Sequence, residues 1–190
     1  MRVWVSNGGV GGLIENAKAG VSALDHGLTV GDGVFETVKV ETGQPIALSR
    51  HLARLASSCR ILGLSEPDED HVRSAISEVL HANAENSALA RLRVTVTAGE
   101  APLGSDRGDA RPTLIVALAA MKPWPESTSA LVLPWVRNER SPVTGAKTTS
   151  YADNVVALSW SNERGFSEGL FLNTIGRLCE GTGDRKSTRL

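Results

Sequence analysis

The sequence predicts an α+β protein made of two pieces in series. Segments with the two-residue apolar period of strands alternate with segments of helical period. The strand-like segments follow one another across short turns rich in Gly, Asn or Pro, which favours hairpins over a doubly wound parallel sheet. Periodicity stops at residues 119–127, where two prolines stiffen the backbone, so an interdomain linker is expected there.

The first piece, residues 1–118, is expected to form a small N-terminal α+β domain. Ser49 is the predicted N-cap of a helix that ends at Gly63, and a second helix is expected at residues 68–84. The polar, Gly-rich residues 99–112 predict a long exposed loop. Alternating or β-branched segments predict strands at residues 3–5, 34–41, 46–48, 92–98 and 113–119.

The second piece, residues 128–183, is expected to begin a larger domain. Residues 150–164 have the pattern of a helix, and residues 137–149 that of a loop. Strands are predicted at residues 130–136, 169–173 and 177–179.

Length and composition favour a protein that acts on small molecules. At 190 residues and 41% hydrophobic content, the chain can bury a core. Its formal net charge of −1 and its lack of a basic stripe disfavour nucleic-acid and membrane partners. Cys59 and Cys179 form no CxxC pair, and no apolar run reaches the roughly 18 residues of a bilayer span. The N-terminal residues lack the apolar run of a signal peptide, so a cytoplasmic location is expected.

Three clusters could carry chemistry, and the first is Gly31-Asp32-Gly33, directly before the strand at 34–41. Glycines this dense predict positive backbone angles or close approach of the backbone to a ligand. A tight loop that enters a strand is the alternative, and spacing alone favours it.

The second cluster contains Arg54, which flanks the apolar stripe of the first helix. Its planar guanidinium can fork onto a phosphate group. Taken by itself, a solvated arginine on a helix face is the simpler interpretation.

The third cluster is residues 145–154, in which Lys147 precedes a helix N-terminus. A lysine amine reacts with aldehydes when desolvation and nearby positive potential favour its neutral form, and a helix N-terminus supplies such potential. Tyr151 could donate to a phenolate oxygen, and Glu180 could pair with a protonated ring nitrogen. Ordinary solvated loop and turn residues are the alternative for all three.

Taken in order, these clusters resemble the class IV family of pyridoxal-phosphate enzymes. That family contains branched-chain aminotransferases, D-amino-acid aminotransferases and 4-amino-4-deoxychorismate lyases. The likeness runs from about Ala23 to Gly183 and implies a two-domain class IV aminotransferase-like fold whose second domain is incomplete in this chain. It is carried by four segments in the family's order, LDHGLTVGDGVFET, HLARL, GAKTTSYADN and FLNTIGRLCEGTG.

The resemblance implies roles for individual residues. Lys147 would hold pyridoxal 5'-phosphate through its amine and move the substrate's proton. Arg54 would bind the cofactor phosphate, and Glu180 would pair with the pyridine nitrogen. Tyr151 resembles the tyrosine near the cofactor's phenolic oxygen, although the family's spacing from lysine to tyrosine is one residue longer.

Arg91 and Arg93 lie two residues apart, and therefore on one face of a strand. The family's contacts with the substrate carboxylate lie in this region, so the resemblance makes either arginine a candidate for substrate binding. Surface charges on an edge strand are the alternative.

The implied function is that of a pyridoxal-phosphate enzyme, in the first place 4-amino-4-deoxychorismate lyase, which forms 4-aminobenzoate and pyruvate for folate synthesis. A branched-chain or D-amino-acid transaminase comes second, and a non-catalytic metabolite-binding protein third. The implied partners are an amino-acid-like small molecule and a second copy of the chain in a homodimer. No His/Cys spacing fits a metal site, and no GxSxG motif supports a hydrolase.

The likeness stops after Gly183, where Asp184 and Arg185 replace the family's continuation. Residues 184–190 suit neither a strand nor a helix of this fold. We expect that they are a non-native tail and that the natural protein is longer. The chain by itself is then expected to be inactive or poorly folded.

Overall fold

The computed structural model describes residues 1–183, which form two compact units. The first unit consists of residues 1–123 together with residues 145–150, and the rest of the described chain forms the second. Both units mix helices and strands, which confirms the α+β class. The tail expected at residues 184–190 lies outside the described residues. No helix in the described chain is both long and apolar enough to cross a bilayer.

A six-stranded antiparallel sheet forms the frame of the first unit. Its strands are β1 (Arg2–Asn7), β2 (Val10–Glu15), β3 (Gly33–Glu41), β4 (Gln44–Pro45), β5 (Leu89–Thr97) and β6 (Thr113–Ala120). They lie in the order β2-β1-β6-β5-β3-β4, with every neighbouring pair antiparallel. Because β5 lies inside the sheet, the alternative that placed Arg91 and Arg93 on an edge strand is wrong.

The core of the first unit lies between one face of this sheet and two helices. A single turn, α1 (His26–Thr29), precedes β3, and the helices α2 (Leu48–Leu62) and α3 (Glu69–Ala82) lie between β4 and β5. Burial of each large apolar side chain contributes roughly 1.5–3 kcal/mol to folding. Even-numbered positions of β3 and β5 supply buried members of this core, namely Val34, Val38, Val40, Leu92, Val94 and Val96.

The start of α2 differs from the prediction. Ala47 caps the helix in the left-handed conformation, with φ of 53°, so the chain turns at residues 46–48 and the strand predicted there is wrong. Ser49 lies inside the first turn and is not the N-cap, and its Oγ accepts a hydrogen bond of 3.0 Å from Nη2 of Arg73. The predicted end of the helix at Gly63 is confirmed, with φ of 66°.

A three-stranded sheet and one helix organise the second unit. The elements are β7 (Ala130–Arg137), α4 (Ala152–Asn162), β8 (Glu168–Asn173) and β9 (Leu178–Gly181). The predicted hairpin of β8 and β9 is confirmed, but β7 and β8 run parallel, so the expectation that strands come in hairpins is wrong here. A parallel neighbour requires a crossover connection, and α4 lies within it.

Candidate active site

The segment that carries Lys147 pairs with the edge of β3. Val34 and Thr148 form an antiparallel bridge. The amide of Phe35 donates to the carbonyl oxygen of Lys147 at 2.9 Å, and the amide of Thr149 donates to the carbonyl oxygen of Gly33 at 2.8 Å. Within the predicted loop, these two hydrogen bonds hold residues 147–149 at a single β-bridge to β3.

A contact with helix α2 holds the same segment from its other side. The amide of Lys147 donates to Oγ of Ser58, which is fully buried, at 3.1 Å. The backbone of Lys147 thus has both of its polar groups paired, because its carbonyl oxygen accepts from Phe35. The lysine side chain starts from a fixed backbone, as a reacting amine requires.

The glycines before β3 make room for this segment. A Cβ atom on Gly33 would lie 2.9 Å from the carbonyl oxygen of Val96 and 3.1 Å from Oγ1 of Thr149. Gly31 has a φ of 71°, which few other residues adopt, and its carbonyl oxygen accepts from Oγ1 of Thr149 at 2.9 Å. The glycine spacing predicted a close approach to a ligand or positive backbone angles. The structure shows a positive φ at Gly31 and a close approach to the lysine-bearing segment of the chain itself.

Lys147 and Arg93 both lie close to the aromatic ring of Phe35. Nζ of Lys147 lies 4.4 Å from the centroid of the Phe35 ring, and Cζ of Arg93 lies 3.6 Å from it. Distances of this size allow cation–π attraction. Arg91, the other predicted substrate-binding arginine, lies opposite Lys39 in the strand register, two positions before Arg93 on β5.

Arg54 contacts a carboxylate that the sequence analysis did not single out. Its Nε and Nη2 donate to the two oxygens of Glu36 on β3. Nδ1 of His51 lies 2.7 Å from Oε2 of the same carboxylate. Nη1 of Arg54 has no hydrogen-bond partner among residues 1–183, which leaves one nitrogen of the guanidinium for another acceptor.

Glu36 is charged although it is 0% exposed. Burial by itself would raise its pKa, but the hydrogen bonds from His51 and Arg54 and the attraction of these two groups outweigh burial, so the pKa lies below the ordinary value of a glutamate. The buried site therefore contains an ionised acid between two basic side chains.

In the second unit, Glu180 on β9 is held by an unforeseen arginine. Nε of Arg137, at the end of β7, donates to Oε1 of Glu180 at 2.8 Å. Nη1 of Arg137 donates to Asp153 at 3.2 Å, and Nη2 donates to Asn154. The guanidinium thereby joins two strands to the first turn of α4.

The predicted site residues are divided between the two units. Lys147, Arg54 and Arg93 belong to the first, where Lys147 and Arg93 meet at Phe35 and Arg54 is held by Glu36. Tyr151 and Glu180 belong to the second. Tyr151 is half-buried and lies at the N-cap position of α4, where its side chain makes no capping hydrogen bond.

One signal in the sequence could have revealed Glu36. The residues at positions 34, 38 and 40 are apolar and face the core, and Glu36 is the charged member of that alternation. A carboxylate at a buried strand position needs a basic partner, and the helix that follows offers His51 and Arg54. No comparable pattern marks Arg137, whose contacts are set by tertiary structure.

Comparison with known proteins supports the motif resemblance. A family profile described as Amino-transferase class IV matches residues 33–183. A Methanocaldococcus jannaschii protein that carries the name branched-chain-amino-acid aminotransferase is 32% identical over 180 residues, which are 92% of this chain and 62% of that protein. A Mycobacterium tuberculosis protein named bifunctional aminodeoxychorismate lyase / D-amino acid transaminase is 28% identical over 192 residues, covering 90% of this chain and 61% of that protein.

A solved aminotransferase structure has a similar fold. A hypothetical aminotransferase from Mycobacterium tuberculosis, solved in a PLP-bound form, superposes with a TM-score of 0.79 at 27% identity. The match covers 95% of this chain and 65% of that one. This chain therefore spans less than two thirds of the length of these relatives.

The lowered pKa of Glu36 predicts a pH-dependent contribution to stability. The ionised acid stabilises the fold fully above the ordinary glutamate pKa of about 4.3, and this contribution is lost as the pH falls through the lower pKa of the folded state. Replacement of Glu36 by Gln should lower the free energy of unfolding at pH 7 by roughly 3 kcal/mol, because it removes the charge and one of the two acceptor oxygens that pair with Arg54 and His51. Urea unfolding of the whole protein at several pH values measures this difference.

The gap between wild type and E36Q should shrink as the pH falls below about 4.3. The matched control is Glu41→Gln, which removes an exposed acid paired with Lys39 on the same strand. A gap for E36Q that stays the same down to pH 3 would contradict the ionised state assigned to Glu36.

Proposed function

This chain belongs to the class IV aminotransferase family, and we propose that the whole protein is a pyridoxal-phosphate enzyme in which Lys147 holds the cofactor. The observation that carries the proposal is the pairing of residues 147–149 with β3, which holds Lys147 at a ring shared with Arg93. A solvated loop lysine has no such environment. The PLP-bound state of a solved relative supports the choice of cofactor.

The donor set of the chain fits that cofactor. An aldehyde requires an amine, and Lys147 supplies it. A phosphate group suits a guanidinium with an available N–H, and Nη1 of Arg54 provides one. A protonated pyridine nitrogen suits a carboxylate, and Glu180 is held by Arg137 at 2.8 Å. Tyr151 is the candidate donor to the phenolic oxygen.

Each residue then has a defined task. Pyridoxal phosphate, when bound, supplies an electron sink that spreads the negative charge left on a substrate carbon after proton loss. Lys147 carries the proton at Nζ, and Glu180 keeps the ring nitrogen protonated. Arg93 binds the substrate carboxylate beside Lys147, since both side chains contact Phe35. Arg91 takes no part, and its charge faces solvent.

Within the family, we assign the whole protein first to 4-amino-4-deoxychorismate lyase. The segments SYADN and LCEGTG resemble lyase-like members, and a Bacillus subtilis relative with 28% identity is named aminodeoxychorismate lyase. A transaminase is the second candidate, favoured by the relative with 32% identity that carries a branched-chain aminotransferase name. A metabolite-binding protein without catalysis is a remote third, because Lys147, Arg54 and Glu180 occur together.

The proposal includes a cytoplasmic homodimer. The support for it is family resemblance, together with a composition that favours neither a membrane nor a nucleic-acid partner. Light scattering on the whole protein after gel filtration measures its mass in solution, and a monomer would remove this part of the proposal.

Replacement of Lys147 by Ala in the whole protein tests the cofactor assignment. We expect loss of the covalent visible band, of its reduction by borohydride, and of turnover by at least about a thousandfold, because no other amine occupies this position. Lys39→Ala, which changes an exposed lysine on β3, is the control and should keep the band and the activity. An unchanged band in K147A would refute the assignment.

The two arginines of β5 give a matched pair for substrate binding. Replacement of Arg93 by Ala should lower kcat/KM about a hundredfold or more, as expected when a charged hydrogen bond to substrate is lost. Replacement of Arg91 by Ala, on the same face of the same strand, should change kcat/KM by less than about threefold. Steady-state kinetics measures both, and equal losses in the two variants would contradict the choice of Arg93.

A direct comparison of substrates decides between lyase and transaminase. The whole protein is given aminodeoxychorismate in one assay and leucine or D-alanine with 2-oxoglutarate in another. We expect release of pyruvate and 4-aminobenzoate in the first. Turnover in the second assay only would replace the lyase by a transaminase.

A further inference from the structure

Glu36 is the most deeply buried charged side chain of the first unit, and the tasks assigned above do not use it. It is 0% exposed, while its partner Arg54 is 37% exposed. Its two oxygens accept from Nε and Nη2 of Arg54, and Oε2 also lies 2.7 Å from Nδ1 of His51. A half-exposed arginine on a helix is thereby fixed to a carboxylate inside the sheet.

This arrangement removes the conformational freedom of Arg54. A free arginine side chain loses rotamer entropy when it is ordered against a ligand. Two parallel hydrogen bonds to one carboxylate fix the plane of the guanidinium as well as its position. With Nε and Nη2 used, the direction of Nη1 is also fixed, and Nη1 is the nitrogen without a partner among residues 1–183.

The position of Glu36 on β3 also places it next to Phe35, the residue that contacts Lys147. Its neighbour Phe35 donates its amide to the carbonyl oxygen of Lys147 at 2.9 Å and presents its ring to the lysine amine. Phe35 and Glu36 point to opposite faces of the sheet, because successive strand residues alternate. One pair of adjacent residues therefore fixes both Lys147 and Arg54 relative to a single strand.

We propose that Glu36, assisted by His51, is a positioning residue that orients Nη1 of Arg54 toward the phosphate group of the cofactor. This inference rests on the proposed function, since it requires that Arg54 bind that phosphate. Glu36 itself touches neither cofactor nor substrate. Its effect is preorganisation, which strengthens binding because the arginine is already ordered before the phosphate arrives.

The test compares two ligands that differ only in the phosphate. The whole protein is stripped of cofactor, and the dissociation constants of pyridoxal 5'-phosphate and of pyridoxal are measured by fluorescence titration. The ratio of the two constants reports on phosphate recognition, while general damage to the site weakens both ligands together. The variants are Glu36→Gln, Arg54→Gln and, as control, the exposed Glu41→Gln of the same strand.

We expect E36Q to lower the preference for the phosphorylated ligand about tenfold or more, with the pyridoxal constant changed by less than about threefold, while E41Q retains the wild-type ratio. Should E36Q fail to fold, Glu36→Asp keeps the charge but shortens its reach, and it should lower the same ratio. A wild-type ratio in either Glu36 variant overturns the inference, as does an equal weakening of both ligands.

Two outcomes separate this inference from the proposed function. If R54Q loses the preference and the Glu36 variants keep it, the phosphate role of Arg54 stands and the positioning role of Glu36 is wrong. If R54Q itself keeps the preference, the phosphate role assigned to Arg54 fails, and the inference fails with it.

Discussion

The antiparallel pairing of residues 147–149 with the start of β3 is the constraint on which the candidate site depends. One β-bridge and its two hydrogen bonds hold this part of a polar connection antiparallel to β3. Without this pairing, the backbone of Lys147 would not be held against β3. The pairing requires a close approach that a Cβ atom on Gly33 would obstruct, because such an atom would lie 3.1 Å from Oγ1 of Thr149. The glycines at the entry to β3 therefore make room for another segment of the same chain.

Alternation along β3 then distributes the chemistry over two faces. Phe35 lies on one face with Arg93 and Lys147, and Glu36 lies on the other with His51 and Arg54. A shift of one residue in register would exchange the two faces, since the side-chain period of a strand is two. Nine paired positions between β3 and β5 fix that register. The register of the sheet therefore determines which side chains lie together in the candidate site.

Local pattern predicted much of this fold, because alternation and turn chemistry act over a few residues. The predicted strands at 34–41 and 92–98 overlap β3 and β5, although β5 begins earlier, at Leu89, and the predicted helix end at Gly63 is confirmed. The failures involve interactions that no short segment contains: the left-handed Ala47, the parallel pairing of β7 with β8, and the contact of Arg137 with Glu180. Motifs indicated Lys147 and Arg54 as site residues, but neither their surroundings nor the acid that holds Arg54 could be derived from spacing.

The Glu36 cluster links the stability of the fold to the role proposed for Arg54. A buried carboxylate is costly unless donors compensate it, and replacement of a buried ion pair by apolar residues is often neutral or stabilising. A cluster that served stability alone would need no arginine whose third nitrogen lacks a partner among residues 1–183. Nε and Nη2 of Arg54 compensate the negative charge of Glu36, and the arginine side chain as a whole is 37% exposed. The hydrogen bonds from Nε and Nη2 thereby offset the desolvation cost of Glu36 within the fold, and Nη1 is the nitrogen to which we assign the phosphate contact.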